Sequence, residues 1–342
     1  MPFNIPSALR LKDLKTLACK CGTTGTGTKS VLTQRLYDEI TLTPRLASHA
    51  RILSIDMGIR NLAYCVLDVP PSSITRPDVT PSTPKEKSKL IAKLPQILDW
   101  SRLAVSTRPE ISDSGPVVKE AFDPATLSNI AYKLLRSRLL LTNPTHVLIE
   151  RQRFRSMGGS HVLEWTLRVN MFESILHAVL CTLKSEGSWA GEVISVTPGK
   201  VGPFWLPPDA LEEEMKKSRK SKSAKVQNKG VKIDLVRRWL EAGDVVGLGN
   251  EEVKRTVTQY VEKWGRSPGR VKGVVGGEKV DTGKLDDLAD CLLQGMAWVR
   301  WEENKRMVLR QGVEEALEIP VVEMENVSEK KVKEKASKKD VT

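Results

Sequence analysis

The chain has 342 residues, 40% of them hydrophobic, which is enough for one large domain or two modest ones around a real core. Lys and Arg number 54 against 42 Asp and Glu, a net charge of +12 that points to a polyanion as partner: DNA, RNA or an anionic membrane surface. Five scattered cysteines (Cys19, Cys21, Cys65, Cys181, Cys291) exclude a disulfide framework and fit a reducing compartment, and the short, charge-interrupted apolar runs exclude a membrane-spanning helix.

Leu11, Leu14, Leu17, Ala18 and Cys21 recur at helical spacing. "GTTGTGTKS" (22–30) interrupts them, and Val31, Leu32, Leu36 and Ile40 resume the pattern, so 9–40 is expected to form two short helices around a glycine turn. Cys19-Lys20-Cys21 is too tight a pair for a zinc site. The first 37 residues hold one acid, Asp13, a bias shared by mitochondrial presequences and by DNA-binding helix pairs. With Gly22 and Gly27 in the turn, Lys29 opening the second helix and Gln34-Arg35-Leu36 near its end, the pair resembles the SAP motif, a small DNA-binding module. A module over 1–45 is expected, with Thr28, Lys29 and Ser30 at a helix N-terminus suited to a phosphate. A simple packing hairpin accounts for the same apolar spacing.

Strands are expected at 52–57 and 61–68, close enough for a hairpin, and a third at 96–105 beyond a Pro/Ser/Thr/Lys-rich surface loop. A helix at 124–141 precedes a buried strand, "THVLIERQ" (145–152), that ends on Glu150. A long helix at 162–186, a strand at 192–198 and helices near 231–242 and 285–303 follow. Five strands mixed with helices predict a mixed α/β sheet. The cation-rich stretch about 209–230 is expected to be a mobile insertion. The region 306–342 is expected to be a helical extension with a disordered basic tail.

Three acidic points stand out. Asp56 ends the strand in "ILSIDMGIRNLAYCVLD" (52–68), and Glu150 ends a central strand. In "KLDDLADCLLQGMAW" (284–298), Leu285, Leu288, Ala289, Leu292, Leu293 and Met296 form the apolar stripe of an amphipathic helix. At about 100° per residue, Asp286, Asp287 and Asp290 share one arc beside that stripe, and the last two are near enough to meet. Carboxylates pressed together raise one another's pKa unless a cation joins them. Hard oxygen donors suit Mg²⁺ or Mn²⁺, and two such ions about 3.5–4 Å apart activate water and stabilise the leaving oxygen of a phosphodiester. Each acid also has a purely structural use: Asp56 at turn amides before Gly58, Glu150 paired with Arg151 or Arg153, Asp286 and Asp287 at a helix N-terminus.

A strand ending in Asp, then Gly and a hairpin; a strand ending in Glu; a late helix with D-x-x-D: this arrangement resembles the ribonuclease-H-like nucleases of the RuvC type. "SIDMGIRNLAYCVLD", "IERQRFRS" and "KLDDLAD", with the SAP-like start, look like the fungal mitochondrial Holliday junction resolvases over residues 10–305, tightly in those motifs and loosely in the loops. The resemblance implies a ribonuclease-H-like domain over 50–305. It also implies a mitochondrial, Mg²⁺-dependent homodimer that cuts four-way DNA junctions symmetrically, with Mn²⁺ as substitute ion and neither membrane nor small-molecule substrate. It implies Asp56, Glu150, Asp287 and Asp290 as catalytic metal ligands and leaves Asp286 open. The last helix lacks the histidine that many bacterial relatives carry, and His146 and His161 read as structural.

Arg151, Arg153 and Arg155 alternate after Glu150 and would share one side of an extended segment, near scissile phosphates. "TPGKVG" (197–202) resembles the family's strand-end turn and offers Lys200; Lys225, Lys229 and Lys232 end the basic insertion. Phe154, Phe204 and Trp205 are expected to pack rather than to stack on bases, and the 162–186 helix serves as interface or core. Three rivals remain at this level: an actin-like phosphotransferase, from Asp56, Gly58 and Asn61; a non-catalytic DNA-binding protein; and ribonuclease H proper.

Overall fold

The computed structural model describes residues 3–42, 49–71, 94–106, 120–153, 162–206, 224–265 and 284–318, with side chains of the sixth segment described from 229 onward. The proposed mobile insertion lies mostly outside these residues, as do Arg155, Phe154, His161, the Lys225 side chain and the C-terminal tail. The chain divides into two compact units: 45–199 with 214–296, and 1–44 with 200–213 and 297–342.

The larger unit is built on one sheet. Its strands are β1 (Ala50–Asp56), β2 (Leu62–Val69), β3 (Gln96–Leu103), β4 (His146–Glu150), β5 (Glu192–Val196) and β6 (Gly247–Leu248), in the order β5-β4-β1-β2-β3-β6. β1 and β2 form the expected hairpin, Ala50 opposite Val69 and Asp56 opposite Ala63, and β3 runs antiparallel to β2. β4 lies parallel to β1, with Ile55 beside Ile149, and β5 parallel to β4. This is the ribonuclease-H-like order, with one strand more than the five expected. β6 has two residues, too short to leave a period-2 signal in sequence.

Both faces of the sheet are covered, which is why its central strands read as nearly continuous apolar runs. On one face Leu53, Ile55, Tyr64, Val66, Val147 and Ile149 pack under α3 (Pro124–Ser137) and α4 (Glu164–Ser185), against Leu127, Ala131, Phe172, Leu176 and Leu180. On the other lies the start of α8 (Leu285–Gln311), held by the Trp100 Nε1–H donating to Leu288 O at 3.0 Å. A β-carbon on Gly295 would come within 2.9 Å of Leu67 Cδ1, so a glycine is what lets this helix lie so close to the sheet. α6 (Ala224–Ala242) and α7 (Glu251–Gly265) also belong to this unit, joined by Tyr260 Oη donating to Ile233 O.

The smaller unit contains α1 (Leu11–Lys20) and α2 (Lys29–Thr41), the two helices expected there. Gly22 and Gly27 adopt φ of 65° and 120°, conformations that the turn demands and that other residues resist. The hairpin does not close on itself: Leu14, Leu17, Ala18, Leu32, Leu36 and Ile40 share a core with Val308, Val313 and Ala316, from the end of α8 and from α9 (Val313–Glu318). Lys20 Nζ donates to Ala316 O at 2.7 Å and Leu317 O at 2.8 Å, capping α9. α5 (Pro198–Trp205) replaces the turn expected at 197–202, because Pro198 suits a first helical position and Val201, Phe204 and Trp205 supply a buried helical face. Phe204 and Trp205 pack edge to face, 4.7 Å between centroids, as core residues.

Candidate active site

Parallel pairing of β1 and β4 decides where the acids meet. Ile55 stands beside Ile149, so the next residue on each strand, Asp56 and Glu150, falls at the same carboxyl edge of the sheet. Open α/β sheets place their ligand sites at that edge. The Asp56 and Glu150 carboxyl groups stand close enough for each to feel the other's charge, and Gln152 Nε2 donates to Glu150 Oε2 at 2.9 Å. Burial first, then the negative charge of Glu150, then the charges of Asp290 and Asp287, hold the Asp56 carboxyl well above the ordinary carboxylate range.

α8 brings the other acids. Its first turn holds Asp286 and Asp287, and Asp290 follows one turn later. Gln294, one turn on again, donates from Nε2 to Ser54 Oγ and to Ile55 O, each at 3.1 Å, which sets Asp290 and Asp287 toward the end of β1. Burial and the neighbouring Asp286 push the Asp287 carboxyl up to about 6, against the pull of Lys284, Arg102 and Lys229.

Three cations meet these acids. Lys229 Nζ donates to Asp286 Oδ2, and Lys232 Nζ donates to Asp290 Oδ1 at 2.7 Å. Arg102 Nε stands 3.5 Å from Asp287 Oδ2, longer than a hydrogen bond, and its guanidinium donates to Asn61 Oδ1. Asp287 Oδ2 is buried and accepts no hydrogen bond among the described residues. Also among them, no three His, Cys, Asp or Glu side chains stand ready to hold one ion. The donor set nevertheless fits a hard divalent cation. It consists of carboxylate oxygens only, Asp56 feels the charge of three others, and a buried oxygen of Asp287 remains without a hydrogen-bond donor.

The basic residues separate into groups. Arg151 and Arg153 are exposed just beyond Glu150 and, with Gln152 and Thr197, line a cavity of about 290 Å³ at the β4 and β5 ends. The Arg153 guanidinium lies over Gly199, where a β-carbon would come within 2.7 Å of it. A larger cavity, about 580 Å³, is lined by Phe122, Asp123, Glu164 and Arg168 among others, and by none of the expected site residues. Lys200 and Lys29 belong to the smaller unit, not to the one that holds the acids. Burial lowers the Lys200 ammonium, in the company of Glu39, Lys305 and Arg35, and Lys29 Nζ donates to Ser7 O at 2.7 Å.

Arg102, Gln152 and Gln294 join the site without having been expected there, as does Asn61, which in sequence spoke only for the actin-like alternative. Gln294 is the one with a sequence signal: it follows Asp287 and Asp290 by seven and four residues on one helix face. Arg102 and Asn61 meet across strands, which no local pattern reports. His146 opens β4 and shares a hydrogen bond with Thr145. Of the 162–186 helix, Phe172 and Leu176 are core, whereas Leu163 and Leu167 are exposed.

Residues 52–308 match the family described as mitochondrial resolvase Ydc2 / RNA splicing MRS1. A Schizosaccharomyces pombe protein named cruciform cutting endonuclease 1, mitochondrial, is 27% identical over 301 residues, 86% of this chain and 93% of that protein. A Saccharomyces cerevisiae protein of the same name is 25% identical over 279 residues, 74% and 69% of the two chains. The solved yeast mitochondrial Holliday junction resolvase Ydc2 shares the fold, with a TM-score of 0.52 and 22% identity over 90% of this chain and 98% of that one.

Proposed function

The chain belongs to the mitochondrial resolvase Ydc2 / RNA splicing MRS1 family, and from that premise we propose that it is a mitochondrial Holliday junction resolvase. It hydrolyses phosphodiester bonds in four-way DNA junctions, making paired symmetric nicks as a homodimer. The observation that carries this reading is the meeting of Asp56 and Glu150 at the ends of adjacent parallel strands, within the electrostatic reach of Asp287 and Asp290. Two cuts across a two-fold junction call for two sites related by the same symmetry, which a C₂ dimer supplies.

Asp56, Glu150, Asp287 and Asp290 would hold Mg²⁺, with Mn²⁺ as substitute, and Asp286 stands beside them. When bound, such ions supply an activated water and charge stabilisation at the leaving oxygen. The chain's own groups do the rest. Gln152 holds the Glu150 carboxylate in place by donating to it, and Gln294 ties α8 to β1. Arg102 keeps a positive charge against Asp287 from within the sheet. Arg151, Arg153 and Arg155 grip phosphates next to the scissile bond, and Lys229 and Lys232 approach the strand from α6. The SAP-like hairpin offers DNA a second foothold through Lys29, and Lys200 supports it from α5.

The actin-like alternative loses its anchor: Asn61, needed by a first phosphate loop, instead accepts from Arg102. A synthetic four-way junction incubated with and without Mg²⁺, with the nicks mapped on all strands, tests the proposal. Paired nicks at symmetric positions, dependent on the ion, are expected. Random nicking, or preference for an RNA–DNA hybrid, would refute it.

A further inference from the structure

The three cations that meet the α8 acids differ in kind. Arg102 is rooted in β3, its side chain 11% exposed and its guanidinium tied to Asn61. Lys229 and Lys232 come from α6, three residues apart, with side chains 51% and 27% exposed, one on Asp286 and one on Asp290. An ammonium that donates to a carboxylate oxygen occupies the lone pair a divalent ion would use. Lys232 therefore stands where Asp290 would meet an ion, and Lys229 on the adjacent Asp286, both on long flexible stems open to solvent, and part-exposed pairs of this sort exchange readily.

We propose that Lys229 and Lys232 are exchangeable counter-ions that compete with divalent ions for Asp286 and Asp290, and that DNA phosphates relieve the competition by drawing the lysines away. This rests on the nuclease reading above and adds to it a coupling between ion loading and DNA engagement. Both lysines then have two successive partners: the acids in the free protein, the phosphate backbone in the complex. Reciprocity follows, since whatever junction binding does to ion affinity, ion binding does to junction affinity. Arg102 takes no part in the exchange, because its anchor at Asn61 keeps it on Asp287 throughout. The free protein would thereby load ions poorly until a junction is present.

Two titrations of the full chain test this, neither of them reading cleavage. Calorimetry with Mn²⁺ in the absence of DNA compares the native chain with the Lys229→Gln/Lys232→Gln double variant. Fluorescence anisotropy with a labelled four-way junction, without divalent ion, compares the same pair. The double variant is expected to bind Mn²⁺ roughly threefold to tenfold more tightly, the scale of two weak ion pairs removed, and to bind the junction more weakly. Opposite signs are the signature, because a merely structural role for the lysines would weaken both. The Lys229→Arg/Lys232→Arg variant is expected to stay near native in both titrations. Mn²⁺ affinity unchanged or lower in the Gln variant overturns the exchange while leaving the nuclease intact. A native chain that binds no Mn²⁺ and cuts no junction overturns the nuclease reading itself, and the exchange with it.

Discussion

Gln294 donates to Ser54 Oγ and Ile55 O, binding α8 to β1 one residue before Asp56. Both acceptors lie in the buried centre of the sheet. Gln294→Leu leaves them without this donor and is expected to cost about 1–3 kcal/mol, the penalty for a stranded buried polar group. Urea unfolding measures the loss. Cleavage should fall further than junction binding, because the register of Asp287 and Asp290 depends on the same pair of hydrogen bonds.

Asp56→Asn is expected to reduce cleavage by roughly a hundredfold or more, the scale for removing a principal charged group at a reacting centre. Junction binding should survive. Without divalent ions the variant should also melt higher by about one to two degrees, what roughly 1 kcal/mol of relieved burial and repulsion gives in a chain of this size. Normal cleavage by this variant would contradict the assignment of the acids.

The enclosure of Asp287 has a pH signature. Its carboxyl is raised in the fold to about 6, so the folded chain holds that proton more tightly than the unfolded chain does. The contribution is therefore fully present below the unfolded value of about 3.9 and is lost as pH rises through about 6. Relative to Asp287→Asn, the native chain should gain stability between pH 7 and pH 5 in the absence of divalent ions. Unfolding free energies at the two pH values decide it, and a difference that does not change would count against the burial of this group.

Gly22→Ala should damage the smaller unit. Gly22 has φ of 65°, and a β-carbon there would lie 2.3 Å from Cδ2 of Trp301. The conformation alone costs roughly 1–2 kcal/mol, and displacement of the indole adds to it. Trp301 fluorescence and the unfolding midpoint should both shift.

Arg151→Ala/Arg153→Ala should weaken junction binding at every sequence. It should also flatten the dependence of log affinity on log salt, by about 0.9 for each phosphate no longer neutralised. Measuring the affinity at several salt concentrations checks this. An unchanged slope would place both side chains away from the backbone of the DNA.

The strands of the larger unit and the acids that end two of them are legible because each rests on local signals. Alternating or continuous apolar runs mark the strands, and the stripe from Leu285 to Met296 marks α8. α5 reads as a turn because Gly199 and Gly202 outweigh its short buried face. β6 carries too few residues for periodicity to settle it, whereas α7 does carry a helical signal, Val253, Val257 and Tyr260 on one buried face, although no helix was expected there. The counter-charges are hidden for another reason. Arg102 and Asp287 are far apart in sequence, and nothing in the stretch around "DWSRL" reports which acid the arginine meets. The smaller unit is hidden likewise: its core joins α1 and α2 to Val308, Val313 and Ala316 at the opposite end of the chain.

Parallel pairing of β1 with β4, and the docking of α8 afterwards, carries a consequence for biosynthesis. The four acids come from three separate stretches of chain, and the last is translated long after the first. A growing polypeptide, or one threading unfolded into an organelle, holds Asp56 for most of its length with no partner helix. Such a chain has no cutting centre to turn on bystander nucleic acid, so the danger inherent in a nuclease is deferred until folding is nearly complete.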